Sequence, residues 1–238
     1  MATRTPRGFG QYGGVARALE KVGERWALLI VRDLLSGARR YSDLKAGLPR
    51  IPTNILSDRL KELSEAGVIR RVPTIRGGYE LTPLGRALEP AVLALERWGW
   101  AAVGELRDDE VLTADALAVA LRAAFRAPAA GAAPSEYVIH IGEVSVSAIV
   151  VGGTIDVVPV GPNALPQPAR RATTGSRAPD LLELRIPAAG LRAVLSGDVQ
   201  RAEVIAGDGG LLDRFRATFR VDAVDSDAAE GSPDASVA

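Results

Sequence analysis

The 238-residue chain has no cysteine, a single histidine, a single methionine, and only 5% aromatic residues. Without a thiol it can form no disulfide, no thiolate metal site and no redox-sensing cysteine. One imidazole, His140, is too few for zinc or serine-triad chemistry of the ordinary kind. His140 also alternates with apolar residues and has no aspartate or serine partner at a recognisable spacing, so it reads as a structural or cavity-lining side chain. The opening MATRTPRGFGQYGG contains no apolar signal-peptide core, and nowhere do 18 apolar residues run together. The expectation is a cytoplasmic protein with no membrane partner. The turns SGD, AGDGG and GGVAR lack the lysine and spacing of a phosphate loop. No catalytic set is visible in residues 106–222, and neither a metal nor a cofactor is expected.

What remains is an ordinary globular composition, 47% hydrophobic and 24% charged, with room for one large domain or two smaller ones. The net charge of zero conceals a split. Residues 1–105 carry 17 Lys and Arg against 11 Asp and Glu, and the remaining residues carry 12 against 18. A basic module suited to a polyanion is thus joined to an acidic module with another task.

Hydrophobic periodicity gives the order of elements. Residues 14–35 form one or two amphipathic helices with Trp26, Leu29, Ile30 and Leu34 on one face. A turn at Ser36-Gly37 leads to a short helix in which Tyr41 and Leu44 point inward. Pro52 favours a helix start and Gly67 a C-terminal cap, with Leu56, Leu60 and Leu63 in one stripe between them. The stretch VIRRVPTIRGGYELT alternates as a β-hairpin turning at Gly77-Gly78. Thr82 then caps one long helix, PLGRALEPAVLALERWGWAAVGEL. Three helices, a hairpin and a last helix are the order of a winged helix-turn-helix.

The stretch from VARALEKVGERW through RRYSDL and NILSDRLKELSEAGVI to YELTPLGR closely resembles the HxlR family of bacterial transcriptional regulators, over about residues 12–103. The resemblance implies a homodimer on double-stranded DNA, paired through the first and last helices of this module. It also implies a pseudo-palindromic operator with half-sites about one helical turn apart. Repression by occlusion is the expected mode of control. Members of the family that sense oxidants through an N-terminal thiol have no counterpart in a chain without cysteine.

On the helix after Pro52, Thr53, Asn54, Ser57 and Asp58 project on one side, with Lys61 one turn further. An α-helix fits the roughly 12 Å major groove, where Asn pairs with adenine, Asp with cytosine, and Thr and Ser with base or phosphate. Arg50 and Arg59 are candidates for phosphate, although Arg59 could instead brace the helix against its domain. Arg39, Arg40, Tyr41 and Ser42 cluster at the start of the short second helix, and Arg76 sits at the wing tip. Of Arg70 and Arg71, which lead into the wing, alternation turns only one toward DNA. The plainer alternative is that Thr53 and Asn54 cap a helix and that the basic residues are solvated.

The second half begins with an amphipathic helix at 116–125. Three strands follow within EYVIHIGEVSVSAIVVGGTIDVVPV, with turns at Gly142-Glu143 and Gly152-Gly153. A further strand, a helix from about Pro187, a short strand at 203–205 and a helix after Gly209-Gly210 complete it. LRAVLSGDVQRAEVIAGDGGLLDRF resembles the sterol carrier protein type two-like fold, over about residues 112–220. That fold implies an apolar cavity for a hydrophobic small-molecule effector, with Ile139, Ile141, Val146, Ala148, Ile155 and Val157 as candidate lining residues; ordinary core packing is their alternative. The expected fold is therefore α+β: a winged helix-turn-helix domain at 1–105, a sterol-carrier-like α/β domain at 112–222, and a disordered acidic tail at 223–238. A rival organisation is a carrier of hydrophobic ligands whose winged helix serves only to dimerise.

Overall fold

In the computed structural model, residues 8–73, 77–102, 106–107, 109–161 and 179–222 are described. Arg76 and the acidic tail lie outside these residues.

The first half is helical around a small sheet. Helices α1 (Gly14–Val22) and α2 (Ala27–Leu35) are followed by a two-residue strand β1 (Arg39–Arg40), α3 (Tyr41–Gly47) and α4 (Thr53–Glu65). Strands β2 (Ile69–Val72) and β3 (Gly78–Leu81) form the hairpin, and β1 adds to its free edge in the order β1-β3-β2. Leu56, Leu60 and Leu63 bury the inner face of α4. That helix closes as its composition demands: Gly67 takes φ +73°, Val68 N–H donates to the Leu63 carbonyl, and Gly67 N–H to that of Ser64. This is the paired C-terminal bonding that a left-handed glycine permits.

Thr82 caps the next segment, accepting from Gly85 N–H at 3.2 Å while its hydroxyl donates to the Gly67 carbonyl at 2.6 Å. A Cβ on Gly85 would lie 2.1 Å from the Val68 carbonyl oxygen, so no larger residue fits there. The single long helix expected after Thr82 is in fact two, α5 (Pro83–Arg86) and α6 (Glu89–Ala102). Pro90 supplies the reason: it has no N–H to give and its ring crowds the carbonyl four residues earlier.

The second half is a five-stranded sheet in the order β6-β5-β4-β7-β8. Its strands are β4 (Ser135–Ile141), β5 (Val144–Val151), β6 (Thr154–Pro159), β7 (Asp180–Arg185) and β8 (Glu203–Ala206). Strands β4 and β7 run parallel and the other pairs antiparallel. Helices α7 (Ala114–Ala124), α8 (Leu191–Leu195) and α9 (Gly209–Thr218) complete this half. Alternate residues of β4 are buried, including Tyr137, Ile139 and Ile141. Tyr137 meets Phe215 and Phe219 at ring separations of 5.5 and 5.4 Å. Ile139, Ile141, Val146, Ala148 and Val157, candidates for a cavity wall, are packed side chains of this core, and Ile155 is half-buried against it. Helix α7 lies over β5 and β6, and α9 against β7, so apolar neighbours take the place of a ligand.

Helix α7 departs most from expectation. Its sequence suggests one apolar face, yet Leu117 through Leu121, together with Ala123 and Ala124, are all buried. Leu117, Ala118, Ala120 and Leu121 join the core of the second half, while Val119 joins that of the first. The alanines let α7 sit between two packed bodies.

Two arginines fasten it there. Arg39 donates to both carboxylate oxygens of Asp115, at 2.5 and 3.0 Å, and its side chain is only 5% exposed. Arg122 reaches the Leu35 carbonyl, Glu89 at 3.2 Å and the Val157 carbonyl. Beside Arg39 lies buried Asp33, whose Oδ1 accepts two bonds from Arg32 and whose Oδ2 accepts none. Burial pushes its carboxyl up to about 6, with Arg32 opposing and Asp115 adding to the rise.

Two outcomes follow from this joint. Arg39→Ala should destabilise the fold by about 3 kcal/mol in urea unfolding, because it strands a half-buried carboxylate, whereas replacing Arg39 and Asp115 together by Met and Leu should cost markedly less. Equal losses would show that the pair is not desolvated. For Asp33 the unfolded chain loses its proton near 3.8 and the fold only near 6. Its contribution is therefore favourable below the lower value and is lost as pH rises through the window. Relative to the parent, Asp33→Asn should gain roughly 2 kcal/mol between about pH 4 and about pH 7.5. Parallel stability curves for the two proteins would count against this.

Candidate nucleic-acid interface

Burying Leu56, Leu60 and Leu63 on one side of α4 leaves Thr53, Asn54, Ser57, Asp58 and Lys61 exposed on the other. The chain enters this helix through Pro52, held extended at φ −63° and ψ 145°, so the helix begins one residue later than a proline start implies. Tyr41 ties α3 to its first turn: the phenol donates to the Thr53 carbonyl at 2.9 Å and lies 3.3 Å from Ser57 Oγ. Ser57 also donates to the Thr53 carbonyl, at 3.1 Å. Tyr41, half-buried, thus holds the two helices together rather than standing free.

The basic residues divide. Arg40 is exposed at the cap of α3, where its backbone N–H donates to Asp43 Oδ2 at 2.7 Å, and Ser42 is exposed two residues along. Arg50, in the turn before α4, pairs with Asp109 at 2.7 Å; both side chains are well exposed, and the guanidinium holds the Asp109 carboxyl below its ordinary range. An exposed pair of this kind contributes at most about 1 kcal/mol, so a phosphate can take the place of Asp109 at little cost. Lys61 is loosely placed, 4.0 Å from Glu65.

Arg39 and Arg59 face the other way. The sequence placed Arg39 at the phosphate surface, but β1 alternates, so that Arg39 points in toward Asp115 and Arg40 points out. Nothing in residues 36–42 discloses this, because the partner lies 76 positions later. Arg59 turns back on Glu62 at 2.6 Å and Glu24 at 3.3 Å, which is the bracing role weighed for it. On the hairpin, Arg70 pairs with Glu80 at 2.7 Å and Arg71 lies 5.2 Å over the Tyr79 ring.

Outside this surface, His140 has partners that its spacing in the chain does not show. His140 Nδ1 lies 2.7 Å from Ser145 Oγ, and Nε2 lies 2.8 Å from Glu183 Oε1. It has both a serine and a carboxylate, brought together by the β5 and β7 neighbours of its strand rather than by spacing in the chain. The backbone N–H groups of these strands are committed to the ladders. The triplet reads as hydrogen bonding across neighbouring strands of the sheet.

Residues 21–106 match the family described as HxlR-like helix-turn-helix. Over 89 residues the chain is 47% identical to the HTH-type transcriptional regulator Rv3095 of Mycobacterium tuberculosis, a stretch that makes up 36% of this chain and 56% of that one. The chain thus spans little more than half the length of that relative. It is 40% identical to the HTH-type regulator YvaP of Bacillus subtilis over 86 residues, 34% of this chain and 80% of YvaP. The solved structure of the HTH-type regulator ytcD shares 35% identity, with a TM-score of 0.35, covering 37% of this chain and 94% of its own. With four-fifths of YvaP covered at that identity, the chain belongs to the HxlR-like helix-turn-helix family.

Proposed function

We propose that the protein is a homodimeric, DNA-binding transcriptional regulator that reads a pseudo-palindromic operator with α4 and represses by occupying it. The observation that carries this reading is the outward row of Thr53, Asn54, Ser57, Asp58 and Lys61 on a helix whose opposite side is locked into the core, flanked by exposed Arg40 and Arg50. Short hydrogen-bonding groups at the start of a helix match base edges, and guanidinium groups beside them match phosphate. Dimerisation is supported by apolar side chains left in solvent on the first and last helices of this half. Val15 is 76% exposed and Leu95 49%, an arrangement that favours a partner surface.

In this reading residues 1–105 form the winged DNA-binding and dimerisation module, and 112–222 a sterol-carrier-like module with no catalytic role of its own. The strand order, with α7 packed on β5 and β6 and α9 on β7, favours that kinship. Control by an apolar effector through this half would act by differential binding to two states, typically 1–3 kcal/mol or about 5- to 150-fold in DNA affinity.

Two experiments decide the main points. Fluorescence anisotropy on an operator found by genomic footprinting should show binding that falls steeply with salt, with a slope of roughly −0.9 per phosphate neutralised. Asn54→Ala with Ser57→Ala should weaken operator binding about tenfold or more while leaving non-specific binding unchanged. Arg40→Ala should flatten the salt slope by about one contact. Unaltered operator occupancy in the double variant would overturn the reading. In sedimentation, Val15→Glu with Leu95→Glu should convert the dimer to a folded monomer; a dimer that persists would place the interface elsewhere.

A further inference from the structure

A cleft of about 370 Å³ lies where α6 meets the second half, and its walls divide by chemistry. Trp98, Phe125 and Val221 supply apolar surface, and Arg97, Arg126 and Arg220 supply three guanidinium groups. Its floor is held firmly. Arg220 N–H donates to the Ala124 carbonyl at 2.8 Å, Arg126 N–H donates to the Thr218 carbonyl at 2.8 Å, and Phe125 bridges Phe219. Arg97 is steadied by an Nε bond to the Ala123 carbonyl at 2.8 Å.

One carboxylate already sits among these cations. Asp222 pairs closely with Arg126 and lies 3.6 Å from Arg220 Nε, and the bond from Arg126 holds its carboxyl below the ordinary range. Asp222 is 68% exposed, so this pair is weakly held and open to exchange. We propose that the cleft is a binding site for a small aromatic carboxylate, whose acid group displaces Asp222 from Arg126 and Arg220 while its ring lies against Trp98 and Phe125. Three guanidiniums against one aspartate leave the site cationic, so an anion is preferred. Guanidinium forks fit a carboxylate by two parallel bonds, and the volume is at the small end of ligand sites, which run from about 300 to 1,000 Å³. Arg97 and Trp98 belong to α6, Phe125 and Arg126 follow α7, and Arg220 and Val221 follow α9. A ligand here bridges the two halves and fixes α6, the helix assigned above to dimerisation. Its effect on DNA rests on that reading; its binding does not.

The test uses the full chain and 2-naphthoate as probe, read by calorimetry and tryptophan fluorescence, with naphthalene-2-methanol as the neutral isostere. Saturable binding of the acid is expected, with the alcohol and the Arg126→Gln/Arg220→Gln variant weaker on the order of tenfold or more. Asp222→Asn removes the competing charge without removing an anchor, and should bind about threefold tighter. A thermal scan of each variant separates misfolding from a lost site. No saturable binding, equal binding of acid and alcohol, or affinity indifferent to Asp222→Asn and to the arginine pair would each overturn the proposal. Naphthoate that binds as expected to a protein indifferent to operator DNA would support the cleft and sink the regulator reading alone.

Discussion

Arg39 and Asp115 meet in a setting from which water is nearly excluded, and the relation between the two halves depends on their bond. Taking two charges out of water is costly, and only the two-pronged contact and the further bond to the Ala38 carbonyl offset it. Such a pair adds little net stability over an apolar one, but it is intolerant of displacement. Arg39 stands directly before α3, so the segment that leads into the helix-turn-helix is bonded to the first turn of α7. With Arg122 fixing the other end of that helix to α2, α6 and β6, the second half grips the reading head at several points. Asp33, buried beside the pair, adds a carboxylate whose ionisation the fold resists.

Tight coupling of this kind explains why α7 is nearly all alanine, valine and leucine. A helix lodged between two cores has no solvent face to fill with charge, and small side chains let the backbones on each side approach. Val15 on α1 and Leu95 on α6 project from faces that no described residue covers, so those faces remain for a partner even though α6 packs against α7 along another side.

The elements were legible in the sequence where local rules govern them. Gly67, Thr82, Gly142 and the Gly152-Gly153 turn each sit where the chain needs a left-handed residue or a cap, and the leucine stripe of α4 needs no tertiary information. Pro90 is equally legible as a break, although the apolar period that runs past it suggests one continuous helix where the structure has two. What the sequence could not disclose was long-range pairing. Arg39 among exposed arginines looks like one more phosphate ligand, and only a carboxylate 76 residues away makes it structural. His140 looks isolated because both its partners come from neighbouring strands. The buried faces of β4 and β5 carry no mark that separates a packed core from a cavity wall, since both are Ile, Val and Ala.

These placements also restrict how one half could inform the other. A ligand within the packed face of β4 and β5 would have to displace Tyr137, Phe215 or Phe219, which close on one another at 5.0 to 5.5 Å. Opening that cluster forfeits dispersion contacts and aromatic pairing with nothing equivalent in return. At the seam between α6 and the 124–126 segment the cost is smaller, because the surface is already open and the resident carboxylate is solvated. A signal that acts by changing the relative position of the halves therefore meets least resistance at the seam, where small displacements reach α6 directly and reach α3 through α7 and Arg39.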